Sequence, residues 1–224
     1  MKWGFMIILI FLLISGCSQN NEYLNFEFNL EKDLVMNIQP YSIESNDLEK
    51  IRVLSFENDV AVIESKPSNG FEKFKRERIN LNTNEEEIVT STAMMWLSKD
   101  SFIWLKYEGK TKWDIEFKGS NVFIDALGNA VETSSPLGLL VLENKGYITY
   151  PMKVYSGVNN MTVNMKAISA KDTFSNEYVI LDNKHNALVL EFKPNLVTGR
   201  ALNLFGIPGF KIAEGYKLES VELP

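Results

Sequence analysis

Beyond Asn21 the chain runs in short stretches that alternate apolar and polar residues and stop at Gly, Asn, Asp or Pro. Alternation sends successive side chains to opposite faces, so such a stretch is a half-buried strand rather than a helix. Tyr23 to Phe28 alternates, and so do Leu34 to Ile38, Ile51 to Phe56 and Val60 to Glu64. Glu57-Asn58-Asp59 between the last two has the composition of a hairpin turn. From Met161 to Ala167, Met161, Val163, Met165 and Ala167 share one face, and Thr162, Asn164 and Lys166 the other. Glu177 to Phe192 holds two apolar runs around Asp182-Asn183-Lys184-His185-Asn186, a second hairpin. Leu139 to Tyr150 reads as a third, turned by Asn144-Lys145-Gly146, and Tyr216 to Leu223 reads as a last strand. The pattern predicts a mainly β fold, an antiparallel sandwich or barrel-like. No fixed-period repeat is visible, so a propeller or solenoid is not expected.

One segment departs from this pattern. Ser98 can cap a helix, Asp100 sits where an anion suits the helix dipole, and Gly109 can end it. Phe102 and Leu105 are spaced i, i+3. A short helix near 99–108 is predicted, with a buried strand as the alternative. Phe102-Ile103-Trp104-Leu105 is apolar on all sides, so the helix is expected to be largely buried.

The start of the chain follows other rules. Met1-Lys2 is basic, Trp3 to Ile14 is almost uninterruptedly apolar, and Ser15-Gly16 precede Cys17. This is the layout of a secretory signal peptide. The apolar run is short of the roughly 20 residues of a spanning helix, and polar Ser18 to Glu22 follows at once. Ile14-Ser15-Gly16-Cys17 resembles the lipobox of bacterial lipoproteins, an aliphatic residue, two small ones and a Cys; Ile14 stands where Leu is commoner. The resemblance covers residues 1–17. It implies cleavage before Cys17 and diacylglycerol on its thiol, with a further acyl chain on the new amine as an option. Stable anchoring takes more than one chain, and this arrangement supplies it. Ser18, rather than Asp, after the Cys points to the outer membrane by the sorting rule of enterobacterial lipoproteins. The expected layout is a signal peptide over 1–16, a lipidated tether over 17–22 and a β-rich region over 23–224. Glu132-Thr133-Ser134-Ser135-Pro136 is the best internal boundary: the region forms two lobes meeting near 132–137, or one.

Composition narrows the function classes. Removing residues 1–16 of 224 leaves 208 and takes Lys2 away, moving the net charge from −6 to −7. An acidic body does not suit nucleic acid, nor a second, electrostatic grip on anionic lipid, so the lipid itself is the expected membrane contact. With Cys17, the sole cysteine, lipidated, no thiol remains for catalysis, disulfides or metals. His185 is the sole histidine, so a Ser-His-Asp triad or His-based zinc site would have to pass through it. Its neighbours are turn residues, and an exposed turn is the simpler reading. Asp125 in Phe123 to Asn129 lacks the hydroxyl residue of an aspartic-protease loop and reads as a turn. Glu85-Glu86-Glu87 lacks the spacing of a calcium loop. Lys73, Lys75, Arg76 and Arg78 read as an edge strand kept soluble by charge. No cofactor or metal is expected.

The aromatic residues Trp96, Phe102, Trp104, Tyr107, Trp113 and Phe117 lie close together and include every tryptophan after Trp3. They read either as the main core or, through Trp96, Trp104 and Trp113, as a ligand platform. The core is the simpler reading. Trp96 to Trp113 together with Tyr178 to Phe192 resembles a pattern of uncharacterised exported bacterial β-proteins, which adds to the β expectation and implies no activity. The expected function is a membrane-anchored envelope lipoprotein held by lipid on Cys17, in the outer membrane facing the periplasm. It would be a non-catalytic binding or structural module with a protein or apolar partner. The alternative is an envelope hydrolase using Asp/Glu acid–base chemistry.

Overall fold

The computed structural model describes residues 28–41, 48–66, 75–82, 87–90, 94–116, 140–195 and 215–224. Within them lie twelve strands and one helix. The strands are β1 (Val35–Pro40), β2 (Glu49–Glu57), β3 (Val60–Lys66), β4 (Lys75–Asn80), β5 (Glu87–Thr90) and β6 (Met95–Leu97), then β7 (Lys110–Glu116), β8 (Leu140–Ser156), β9 (Asn159–Asp172), β10 (Glu177–Leu181), β11 (Val189–Lys193) and β12 (Tyr216–Glu222). The helix, α1, is Lys99–Tyr107. The fold is mainly β, as the alternation predicted.

Its centre is the antiparallel sheet β8-β9-β10-β11. Each outer edge of that sheet is shared between two neighbours. On β8, residues 140–143 pair with β7 and residues 153–155 with β12. On β11, Leu188, just ahead of the strand, bridges Trp96 on β6, while Glu191 and Phe192 pair with β12. At one end β12 therefore joins β8 to β11 and closes a five-stranded ring, parallel only at the β12–β8 seam. At the other end the path from β8 to β11 runs through β7, β5 and β6. The free edge of β12 carries β1, β2, β3 and β4 in order.

The local reasons follow the sequence closely. In β9, Val163, Met165 and Ala167 are buried and Thr162, Asn164 and Lys166 exposed. Asn58 and Asp59 both take positive φ, 51° and 61°, the two-residue turn that suits a twisted hairpin. β4 ends the strand order, and Arg76 and Arg78 are exposed on it. Arg76 pairs with Glu64 of β3 at 2.8 Å, so charge does blunt that edge. Ser98 accepts the Ser101 amide at 3.2 Å and caps α1, and Gly109, at φ 77°, follows its end.

Two expectations need correcting. Asn144-Lys145-Gly146 does not turn a hairpin. β8 runs straight through it for 17 residues, and the chain reverses at Gly157-Val158. The Asn and Gly serve a bulge instead: Asn144 pairs with Ala170, Gly146 with Ser169, and Lys145 is the extra residue. Gly146 sits at φ 126°, and its amide donates to Asn144 Oδ1 at 2.7 Å. Nor is α1 largely buried. Phe102 and Leu105 are sealed in the core, while Ile103, Trp104 and Tyr107 are exposed.

Of the remaining expectations, the strand over Tyr23 to Phe28 lies outside the described residues except for Phe28. The boundary near 132–137 also lies outside them.

Candidate functional site

α1 lies at the end of the central sheet where β7 pairs with β8, held by its own polar contacts. Asn144 Nδ2 donates to the Leu105 carbonyl at 3.3 Å, and the Asn144 amide donates to the Gly109 carbonyl at 2.8 Å. Ser98 and Ser101 are buried beneath its first turn. The helix so placed leaves a groove of about 680 Å³ between itself, β9 and the β10–β11 turn.

The groove has an apolar floor and a polar rim. Phe28, Phe102, Met165 and Leu181 are buried in its wall. Lys106 comes from α1, Lys166 from β9, and Asp182, Lys184 and His185 from the turn. Lys106 Nζ meets Asp182 Oδ1 at 2.5 Å, with the two side chains 25% and 12% exposed. That hydrogen bond is the main reason the Lys106 ammonium is held above the ordinary lysine range. The same nitrogen stands 5.7 Å from the Phe102 ring centre and 5.9 Å from that of Tyr107. Among the described residues lining the groove, Asp182 is the sole carboxylate, and Lys106 occupies it.

The turn that carries Asp182 is fixed from below. Asn183 Oδ1 accepts the His185 amide at 2.9 Å, which makes it a side-chain-closed turn. Asn186 is buried; its Oδ1 accepts from Trp96 Nε1 at 3.1 Å and its Nδ2 donates to the Phe28 carbonyl at 3.3 Å. Asn183 Nδ2 reaches the same carbonyl at 3.5 Å. Phe28 is thus clamped to the turn at the groove.

The predicted site residues fall in different places. Trp96 is fully buried in the core. Trp104 stands 55% exposed on α1, and Trp113 lies on β7, paired with Leu140, its side chain outside the described residues. Trp96 and Trp104 do not share a surface. His185 is exposed on the groove rim. Ile14, Ser15, Gly16, Cys17, Lys73, Glu85, Glu86, Phe117 and Asp125 lie outside the described residues. Lys106, Asp182 and Tyr147 were not picked out by sequence reasoning. The first two are separated by 76 positions, and no local pattern joins them.

Among the described residues, no group of three His, Cys, Asp or Glu stands close enough to hold a metal ion. Among them, too, no helix is long and apolar enough to cross a membrane. No protein-family model, curated protein or solved structure matches the chain.

Proposed function

We propose that this chain is an exported bacterial lipoprotein, anchored through acyl chains on Cys17, whose β body is a non-catalytic binding module using the α1 groove. The outer membrane, periplasmic side, is the location that Ser18 supports. The anchor rests on Ile14-Ser15-Gly16-Cys17 at the end of a short apolar run. The binding role rests on one observation above all: α1 turns Ile103, Trp104 and Tyr107 outward beside an apolar-floored groove. A helix stabilised only by its own packing would cover such residues; large apolar groups gathered at a concave surface mark a contact site. A carboxylate held by a lysine suits positioning and charge recognition better than acid–base work.

The anchor is tested by metabolic labelling with an alkyne fatty acid in wild type and Cys17→Ala, followed by membrane fractionation. Wild type should label and pellet with membranes, and the variant should do neither. An unlabelled wild type would make Cys17 an ordinary thiol and end the lipoprotein reading.

A further inference from the structure

Nine large hydrophobic residues are exposed among those described. Four of them, Ile103, Trp104, Tyr107 and Tyr147, gather around α1 and the neighbouring stretch of β8. Ile103 and Tyr107 line the groove, and Trp104 follows Tyr107 round the helix. Tyr147 lies on β8 three residues beyond Asn144, whose side chain bonds the Leu105 carbonyl of α1. Trp and Tyr, with an apolar body and a polar edge, are the side chains that settle at the headgroup level of a bilayer.

Charge adds to this. Lys106 is engaged by Asp182, but Lys166 and Lys184 have no ion-pair partner among the described residues. Both project from the same groove. The chain as a whole is acidic, at −6, which speaks against an overall electrostatic grip on anionic lipid, but Lys166 and Lys184 bring two such cations to one groove. Long lysine stems can lie on the apolar floor while their ammonium groups reach headgroup phosphates.

Phe28 is fixed in the wall of this groove, its carbonyl held by Asn183 and Asn186. Cys17 is only eleven residues earlier. Eleven residues span at most about 40 Å when fully extended, so an anchor at Cys17 keeps this face close to the bilayer.

We infer that the α1 face is a second membrane contact, in which anionic phospholipid headgroups occupy the groove rim and Trp104, Tyr107 and Tyr147 rest in the interfacial layer. The inference rests on the lipoprotein reading for its geometry and names the partner of the same groove. The protein would then lie on its membrane in one orientation rather than swing on its tether.

The test uses the mature lipidated protein in vesicles. With Cys17 acylated, the chain has no other cysteine, so Tyr107→Cys and Val158→Cys each offer one thiol to an environment-sensitive dye. Val158 is 98% exposed at the far turn of the β8–β9 hairpin and serves as the reference. In vesicles containing phosphatidylglycerol, emission at position 107 should shift to the blue and be quenched by brominated acyl chains, while position 158 stays aqueous. Lys166→Glu with Lys184→Glu should lower the ratio of docked to undocked protein by at least about fivefold per lysine. Position 107 as aqueous as 158 would overturn the inference, as would an equal shift on phosphatidylcholine alone. Position 107 aqueous on vesicles but shielded in native envelope membranes would hand the groove to a protein partner instead. Dye uptake by wild type would show Cys17 free and remove the anchor. The 107-against-158 comparison, repeated with Cys17→Ser in both variants on protein added to vesicles, would then decide the docking by itself.

Discussion

The central sheet is closed twice, and the aromatic residues at the two closures are not used alike. Where β12 joins β8 to β11, tyrosines are turned inward and their hydroxyls bond to strand backbones. Tyr150 donates to the Leu218 carbonyl at 3.0 Å, and Tyr216 donates to the Val189 carbonyl at 2.9 Å while accepting the Met95 amide at 3.1 Å. Burial pushes both hydroxyls far above the ordinary tyrosine range, so they remain neutral donors. Near α1, Trp96 and Phe102 are buried too, but Ile103, Trp104 and Tyr107 are turned outward. One end is therefore finished by its own hydrogen bonds, whereas the other leaves area uncovered. The difference separates residues that maintain the fold from residues free to contact something else.

The sharpest way to break that contrast is to remove two tryptophans eight positions apart. Trp96→Ala empties a fully buried site and leaves Asn186 Oδ1 without its donor. The cost should be about 3–5 kcal/mol. Trp104→Ala, at a position 55% exposed, should stay within about 0.5 kcal/mol. Urea unfolding of both variants measures this. Comparable losses would mean that α1 is packed against something in the isolated protein, and the groove would lose its claim to be a contact surface.

A smaller effect separates the tyrosines. Tyr216→Phe keeps the ring but strips partners from a buried carbonyl and a buried amide, which should cost about 1–3 kcal/mol. Tyr107→Phe, at a ring 72% exposed, should be neutral in the same unfolding measurement. A destabilised Tyr107→Phe would move that hydroxyl from the surface into the fold.

These pairs also show what local sequence can and cannot carry. Ser98, Asp100 and Gly109 marked α1 correctly because capping is decided within one turn of the chain. The Asn58-Asp59 hairpin was legible for the same reason. Asn144-Lys145-Gly146 misled because a bulge and a hairpin turn need the same residues, and only the pairing partner, β9, distinguishes them. Trp96 and Trp104 look alike in sequence; their fates depend on which helix face meets the sheet and on Asn186, 90 positions away from Trp96. The groove was invisible, since Phe28, Lys106, Lys166 and Asp182 come from four separate elements.

The Lys106–Asp182 pair tests the groove directly. It is half-sheltered, so its worth falls between that of exposed and buried pairs, and Lys106→Met should cost about 1–2 kcal/mol at neutral pH. The folded-state pKa of Lys106 is raised. Its contribution is therefore fully present below the unfolded lysine value of 10.5 and is lost as pH rises through the folded value. The stability gap between wild type and Lys106→Met should be constant from pH 7 to pH 10 and narrow above it. A gap that narrowed toward acid instead would put the dependence on a group other than Lys106.

The opposite sign belongs to the sealed end, at Glu222. Asn37 Nδ2 donates to its Oε1 at 2.9 Å and Lys50 approaches at 3.1 Å, and these hold its carboxyl below the usual glutamate range, Asn37 foremost. A depressed pKa gives stability that is present above the unfolded value of 4.5 and is lost as pH falls through the folded one. Both side chains of the ion pair are more than a third exposed, so solvent screens the effect to about 0.5 kcal/mol or less. Glu222→Gln keeps an acceptor for Asn37 and removes the charge. Wild type and variant should differ by that small amount at pH 7 and converge as pH falls through the lowered folded-state value. The Lys106 contribution is lost in base and the Glu222 contribution in acid, so the two differences between wild type and variant change at opposite ends of the pH range. If Glu222→Gln instead shifted the basic limb, the two ends would be energetically coupled through β12 and the contrast between them would be one of surface alone.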